Sequence, residues 1–144
     1  MLEPGIYTKG KLDVVTVYRN LLTEGFQKNI GAVITFLGIV RETGKNEKQV
    51  SNLEMESYEE HANKSMKKIC EEVKKKYNLS MIVVYHMLGE FQVGEPVVFV
   101  IAAGKKRDEA FAGIQEAIKR YKTEPALWKK EVYIDGLHEW LSGA

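Results

Sequence analysis

Two short basic segments of the chain carry the side chains best suited to bind an anion. The first, Lys105-Lys106-Arg107, follows an apolar run and precedes a run with helical spacing, so we expect it at the start of a helix. Unpaired N–H groups and the helix dipole attract anions there, and additional cations cost roughly 0.3–1 kcal/mol. A bound phosphate or carboxylate would offset this cost, and so would the acidic residues Asp108 and Glu109.

The second basic segment runs from the end of a predicted helix through a proline turn into a predicted strand. Lys119, Arg120 and Lys122 have an ordinary explanation, because cations are favoured at a helix C-terminus. Lys129 lies in the strand, on the side opposite to Trp128. We expect Trp128 to anchor the strand in the core and thereby to hold Lys129 in a fixed position.

A further cation, Arg41, directly follows the apolar run of residues 31–40. Cations at the ends of strands and helices can converge on a small anion although they are far apart in the sequence. The sequence therefore predicts a basic cluster that binds a small anionic substrate and consists of Arg41, Lys106, Arg107, Lys122 and Lys129.

The other reactive side chains do not form a recognisable site. Cys70 is the only cysteine and lies beside the apolar stripe of a predicted helix, which favours a buried structural thiol over a reactive one. His61, His86 and His138 lie on different predicted elements without ligand spacing, so no metal site is expected. No glycine pattern typical of a P-loop or a dinucleotide site follows a predicted strand.

Composition limits the classes of protein to consider. The chain has 144 residues, of which 44% are apolar and 28% charged, as expected for one domain over residues 1–144. Its 21 Lys and Arg against 20 Asp and Glu give a net charge of +1, which favours neither nucleic acid nor a membrane as partner. The N-terminal residues lack an apolar signal segment, and residues 31–40 are too few to span a membrane. We therefore expect a cytoplasmic protein.

The hydrophobic pattern predicts the elements that would position these residues. Helical spacing predicts helices over residues 13–22, 59–77 and 108–121, the first beginning at Asp13 and stopping at Gly25. Strands are predicted over residues 31–40, 53–58, 81–88 and 97–103, and a hairpin joins residues 128–134 to residues 137–141. This order predicts an α+β fold with a mixed, mostly antiparallel sheet and about three helices.

Several details of this prediction can be checked in the structure. The run of residues 31–40 is continuously apolar, which is typical of a buried strand. Residues 42–49 are polar without periodicity and predict an exposed loop. Gly89 and Gly94 are expected to mark turns, and Phe111 falls on the apolar face of the third helix.

Five segments of this sequence resemble the large, catalytic subunit of molybdopterin synthase. They are GAVITFLGIVR (31–41), LEMESYEEHA (53–62), HMLGEFQVGE (86–95), KRDEAF (106–111) and KTEPALWKKE (122–131), followed by the turn at Asp135-Gly136. Each segment is only moderately specific by itself. The combination, in this order and spacing, is specific.

The resemblance implies an α/β hammerhead fold and a central homodimer, with one small ubiquitin-like subunit at each end of a heterotetramer. It implies a sulfurtransferase that takes sulfur from the C-terminal Gly-Gly thiocarboxylate of that small subunit and delivers it to cyclic pyranopterin monophosphate. Two transfers form the dithiolene of molybdopterin in molybdenum cofactor biosynthesis. The sulfur arrives on the partner, so the resemblance implies neither a catalytic cysteine nor a metal or cofactor.

The resemblance also assigns roles to the basic cluster. It places Arg41, Lys106 and Arg107 at the phosphate and pterin of the substrate, because guanidinium groups suit phosphate oxygens. It places Lys122 and Lys129 at the sulfur-transfer step as catalytic residues that also bind substrate. One of the two lysines would act as general acid/base and the other would stabilise negative charge, in either assignment.

Two neighbours of Lys129, namely Lys130 and Glu131, complete the implied substrate-binding set. Many members of the family have His where this chain has Lys106, so we expect any proton-transfer role of that position to differ here. Some members lend a tail arginine to the neighbouring subunit, whereas no arginine follows Arg120 in this sequence. We therefore do not expect the neighbouring subunit to complete the site.

Two other classes of function are compatible with the same basic cluster. One is a binding module for a phosphate ligand or nucleic acid that performs no catalysis, and steep salt dependence would indicate it. The other is a scaffold that binds a small ubiquitin-like partner without transferring sulfur.

Overall fold

The computed structural model describes residues 2–143, which form seven strands and three helices. The strands are β1 (Gly5–Thr8), β2 (Ala32–Ile39), β3 (Val50–Ser57), β4 (Met81–Gln92), β5 (Pro96–Gly104), β6 (Leu127–Tyr133) and β7 (His138–Ser142). The helices are α1 (Val14–Glu24), α2 (Glu59–Lys76) and α3 (Arg107–Tyr121). These elements confirm the predicted α+β fold with a mostly antiparallel sheet.

The first two helices begin and end where the sequence predicts. Asp13 caps α1, since its carboxylate accepts hydrogen bonds from the Val15 backbone N–H at 3.1 Å and from the Thr16 hydroxyl at 2.8 Å. Gly25 ends α1 with a φ of 81°, which glycine adopts without strain. In α2 the predicted apolar stripe is buried, namely Ala62, Met66, Ile69 and Val73.

The third helix packs closely on its neighbours because its buried face carries small residues. Ala110, Gly113 and Ala117 are buried, and a Cβ added to Gly113 would lie 2.5 Å from Leu79 Cδ1. Phe111 is 58% exposed, so its predicted place on the buried face is wrong. The small residues bring the backbone of α3 near its neighbours, so the Phe111 ring fits only on the outer side of the helix.

The sheet has the strand order β2-β5-β4-β3-β6-β7, and β1 pairs in parallel with β4. The long strand β4 joins two halves of this sheet. Its first half pairs with β5, and residues 89–92 pair with β3. Gly89 was predicted to mark a turn, but it lies inside β4 with a φ of 129°, where the strand changes partner. The turn follows at Gly94, with a φ of 91°.

The strand β2 lies at an edge of the sheet and is not the buried strand that its apolar run predicts. It pairs with β5 on one side only, and its Leu37 and Ile39 side chains are 41% and 49% exposed. A register shift between Gly38 and Ile39 marks a bulge near its end. The apolar side chains of this strand are therefore only partly covered, because the strand lies at the edge of the sheet.

The sequence predicts the hairpin of β6 and β7 but does not predict the strand β1. The hairpin of β6 and β7 confirms the prediction, and Gly136 in its turn has a φ of 86°. The four-residue strand β1 has no counterpart among the predicted elements, because so short a run carries no periodicity. It pairs from Gly5 to Thr8 with residues 85–88 of β4.

The polar segment of residues 42–49 is exposed but has a defined conformation. Thr43 and Gln49 form an antiparallel bridge, and the Gly44 backbone N–H donates to Lys48 O at 2.8 Å. Lys45 Nζ pairs with Glu139 Oε1 of β7 at 2.9 Å. The segment is therefore a closed loop attached to the hairpin, and we call it the 42–49 loop.

The buried apolar side chains form a connected core between the sheet and the helices. Cys70 belongs to this core, and burial raises the pKa of its thiol to about 12, so the thiol is inert at neutral pH, as predicted. No helix within residues 2–143 is both long and apolar enough to cross a membrane.

Candidate active site

A cavity of about 470 Å³ lies where the two halves of the sheet meet the end of α3. This volume falls within the range of roughly 300–1,000 Å³ that is usual for small-molecule sites. Strands β2, β3, β4, β5 and β6 supply most of its wall. Its polar or ionisable side chains are Arg41, Thr43, His86, Tyr121, Lys122, Lys129 and Glu131.

Three cations of the predicted cluster meet in this cavity. Arg41 follows β2, Lys122 caps the C-terminus of α3, and Lys129 lies in β6. Within residues 2–143 no carboxylate oxygen lies within 4.0 Å of the charged nitrogen atoms of these three side chains. Their charges are therefore available to an anionic ligand.

Arg120, which lies two residues before Lys122, has carboxylate partners instead. Its guanidinium contacts Glu72 Oε1 and Glu124 Oε2, each at 2.6 Å. These contacts confirm that Arg120 has a structural role at the end of α3, as its position predicts. Among residues 2–143, Lys122 and Lys129 have no such partners although they belong to the same basic segment as Arg120.

Lys129 has an ammonium group whose pKa the cavity perturbs. Burial lowers its pKa, and the positive charges of Lys122 and Arg41 lower it further, whereas Glu131 opposes the shift. A lysine with a lowered pKa is better matched to proton transfer near neutral pH than an exposed lysine.

Glu131 is buried beside Lys129 and connects the cavity to the 42–49 loop. Its Oε1 accepts hydrogen bonds from the Lys45 backbone N–H and from the Tyr133 hydroxyl, each at 2.9 Å. A Cβ added to Gly44 would lie 2.7 Å from both carboxylate oxygens of Glu131. The loop therefore closes directly over this carboxylate, and only glycine allows so close an approach.

His86 lies at the centre of β4 and borders the cavity from within the core. It is 2% exposed, and its ring meets the ring of Tyr121 edge-on at a centroid distance of 5.8 Å. Burial, with the nearby charges of Lys122 and Lys129, lowers the pKa of His86 to about 4. The imidazole is therefore neutral at physiological pH.

Lys106 and Arg107 do not lie in this cavity. They stand at the N-terminus of α3, whereas Lys122 stands at its C-terminus. The helix has 15 residues, and with a rise of 1.5 Å per residue its ends are about 21 Å apart. The prediction that these two cations share one site with Lys122 therefore does not hold within a single chain.

Lys130 also lies outside the cavity, because side chains alternate along β6. Its Nζ is 3.2 Å from Glu54 Oε2 and 5.8 Å from the centroid of the Trp140 ring. Trp128 lies on the same outer face and is 42% exposed, so its predicted place in the core is wrong. The predicted alternation is correct, but the face that holds Lys129 and Glu131 is the inner one.

Sequence reasoning missed the neutral part of the site. His86 lies in an apolar run that indicates only a buried strand, and Tyr121 fits the apolar stripe of α3. Met55 and Phe36 also line the cavity, from strands that are separated in the sequence. Only the pairing of β3 with β4 and of β2 with β5 brings these residues together.

Fold and cavity together define an α+β protein with a cationic pocket between an antiparallel sheet and the end of a helix. The sequence profile of the family described as MoaE protein matches residues 7–124. The chain belongs to the MoaE family, which confirms the resemblance seen in the sequence.

Relatives and solved structures agree with this assignment. The molybdopterin synthase catalytic subunit of Drosophila melanogaster is 36% identical over 131 residues, which cover 90% of this chain and 34% of that protein. This chain thus spans about a third of the length of the Drosophila relatives.

Among solved structures, molybdopterin synthase from Staphylococcus aureus superposes with a TM-score of 0.84 at 26% identity, covering 99% of this chain and 98% of that one. A complex of subunits 1 and 2 of the molybdopterin-converting factor from Helicobacter pylori matches with a TM-score of 0.73. That match covers 96% of this chain and 88% of the other at 23% identity, and it shows the fold alone.

Proposed function

We propose that this chain is the catalytic subunit of a molybdopterin synthase. It transfers sulfur from the C-terminal thiocarboxylate of a small ubiquitin-like subunit to cyclic pyranopterin monophosphate, and two transfers form the dithiolene of molybdopterin. The observation that carries the proposal is the convergence of Arg41, Lys122 and Lys129 in one cavity, where no carboxylate of residues 2–143 pairs with them within 4.0 Å. Membership of the MoaE family supports it.

The charge and size of the cavity suit the proposed substrate. A pterin monophosphate carries a phosphate anion, and three cationic side chains face one buried carboxylate in this cavity. Arg41, at the rim, would bind phosphate oxygens with its guanidinium group. The partner's thiocarboxylate is also an anion, so the same cations favour its entry.

The two lysines would divide the chemistry. Lys129 is the better general acid/base because burial lowers its pKa. Lys122 is exposed at the mouth of the cavity and would stabilise the negative charge that develops during sulfur transfer. Glu131 would set the charge state of Lys129 instead of contacting the phosphate.

The proposed assembly is a heterotetramer with a central homodimer of this chain. The positions of Lys106 and Arg107 support a homodimeric site, because within one chain these cations are too far from Lys122 to hold the same ligand. In the proposed dimer they would bind the substrate phosphate in the cavity of the second copy, and this replaces the expectation that the neighbouring subunit does not complete the site. The cytoplasmic location expected from the sequence stays a prediction.

The proposal is tested by reconstituting the reaction from this chain, a thiocarboxylated small subunit and cyclic pyranopterin monophosphate. Lys122→Ala and Lys129→Ala are each expected to reduce the rate of molybdopterin formation by roughly 100- to 10,000-fold, the usual contribution of such groups. Lys119→Ala is the matched control, because Lys119 is an exposed lysine of α3 outside the cavity. Rates like the unmodified protein in both cavity variants would refute the proposed site.

The same assay separates the alternative functions. A scaffold would bind the small subunit and leave its thiocarboxylate intact. A nucleic-acid module would bind oligonucleotides with steep salt dependence and show no effect of the pterin.

A further inference from the structure

The neutral histidine at the inner end of the cavity has no role in the proposed reaction so far. His86 is fixed in place on both sides of β4, since its register partners are Val98 of β5 and Ile6 of β1. The Tyr121 ring contacts the imidazole edge-on, at 5.8 Å between centroids. The ring therefore has a defined position at the cavity wall.

The hydrogen bonding of His86 determines which nitrogen carries the proton. Nδ1 lies 3.1 Å from Met87 O, and because a carbonyl oxygen only accepts, Nδ1 must donate. In the neutral ring Nε2 then carries no proton and can act only as an acceptor. Burial, together with the charges of Lys122 and Lys129, lowers the pKa of His86 to about 4 and keeps the ring in this form at neutral pH.

Three of the four charged groups of the cavity cannot replace this acceptor. Arg41, Lys122 and Lys129 are donors only. Glu131 can accept, but its Oε1 already receives hydrogen bonds from the loop and from β6. A ligand that presents an N–H group to the inner end of the cavity thus meets a neutral acceptor at His86.

We propose that His86 is a specificity-determining residue whose Nε2 accepts a hydrogen bond from an N–H group of the bound pterin ring. The inference rests on the proposed function, since it deepens the recognition of the same substrate. The cations bind the phosphate, and His86 distinguishes the pterin ring from other organic phosphates. A site built to pair a substrate N–H group discriminates strongly against ligands that lack it.

Two variants distinguish the role of the Nε2 acceptor from the role of the rest of the imidazole ring. His86→Asn keeps a donor where Nδ1 lies, so it can still bind Met87 O, but its side chain ends before the position of Nε2. His86→Gln reaches that position and offers an amide oxygen there. His138→Phe is the control, because His138 is exposed on β7 away from the cavity.

The measurement is KM and kcat for cyclic pyranopterin monophosphate, with inhibition by sulfate, whose dianion has no hydrogen-bond donor. We expect His86→Asn to raise KM about 10- to 100-fold with little change in kcat, and His86→Gln to restore most of the affinity. Sulfate inhibition should stay within about twofold in both variants, because sulfate meets only the cations.

Three outcomes would overturn the role of His86. These are an unchanged KM in His86→Asn, an equal loss of pterin and sulfate binding, or an equal effect of Asn and Gln, since the last two indicate packing alone. If the unmodified protein does not convert the precursor, the proposed function fails instead. Melting temperatures of both variants verify that each is folded.

Discussion

Lys129 is held in its folded position at a cost to stability. Burial and the nearby cations lower its pKa from the ordinary value of 10.5, so the folded state disfavours the charged form. Between the lowered pKa and 10.5 the unfolded chain binds more protons, and stability therefore rises with pH through this window. At neutral pH, below the window, the full cost is present.

The first prediction follows from the direction of this pH dependence of stability. Lys129→Met should raise the melting temperature at pH 7, because it removes a desolvated charge, and the gain should shrink as the pH approaches 10.5. Thermal unfolding at pH 7 and pH 10 measures both effects. Lys130→Met is the control, because Lys130 pairs with Glu54 on the outer face and should gain nothing. A lower melting temperature of Lys129→Met at pH 7 would contradict the inference that the buried charge of Lys129 destabilises the folded state.

A second prediction concerns Glu131, whose charge raises the pKa of Lys129. Glu131→Gln removes that charge and keeps an oxygen that can accept from Lys45 and Tyr133. The limb of the pH–rate profile that belongs to Lys129 should therefore move to lower pH. The control is Glu139→Gln, which removes a carboxylate paired with Lys45 outside the cavity. A limb that stays in place, or moves to higher pH, would show that Glu131 does not set this pKa.

At the scale of the elements, the 42–49 loop fixes the entrance of the cavity. It joins β2 to β3, and the Thr43–Gln49 bridge and the hydrogen bond from Lys45 to Glu131 hold it against β6. Gly44 has a φ of −102°, which any residue can adopt, so its requirement for glycine is steric. The loop therefore acts as a fixed wall that positions Arg41.

The third prediction tests this steric requirement. Gly44→Ala should destabilise the protein by about 1–3 kcal/mol, because its Cβ would lie 2.7 Å from Glu131 and from Val50 Cγ2. Adding Glu131→Ala should remove part of that loss, so the two changes are not additive. Denaturant unfolding of both single variants and of the double variant measures the coupling. Additive losses would show that Gly44 and Glu131 act independently.

The elements also show what the sequence can and cannot predict. The stripe of α2 and the Asp135-Gly136 turn are local signals, and both predictions are confirmed. Trp128 and Phe111 were assigned to the core because large rings are usually buried, but the buried faces are formed by other residues, including Tyr133 of β6 and Tyr121 of α3. Which face of an element is covered depends on its partners in the fold, and a single element's pattern does not contain that information.

At the scale of the whole molecule, the basic cluster divides between the two ends of α3. Arg41, Lys122 and Lys129 form the cavity, whereas Lys106 and Arg107 are exposed at the other end. The sequence predicted the cations themselves from their local context and from the family resemblance. It could not predict their separation, because the length and direction of α3 across the sheet are properties of the assembled fold.

The fourth prediction tests the proposed dimeric site. Arg107→Ala and Lys122→Ala should each be inactive alone, whereas their co-expression should restore about a quarter of the unmodified activity. Random pairing makes half of the dimers mixed, and each mixed dimer has one complete site of two. Mixed dimers purified with two different tags should accordingly show about half of the unmodified activity per dimer. A mixed dimer no more active than either variant would show that Arg107 does not act on the partner's cavity.

The central claim is that this chain passes sulfur from a partner's thiocarboxylate to a pterin in the cavity of Arg41, Lys122 and Lys129. A single-turnover reaction with thiocarboxylated small subunit and cyclic pyranopterin monophosphate, followed by mass spectrometry, tests it most directly. The small subunit should lose its sulfur only when this chain is present, and the same sulfur should appear in the dithiolene product. Loss of sulfur without a dithiolene, or an intact thiocarboxylate with the pterin bound, would contradict it.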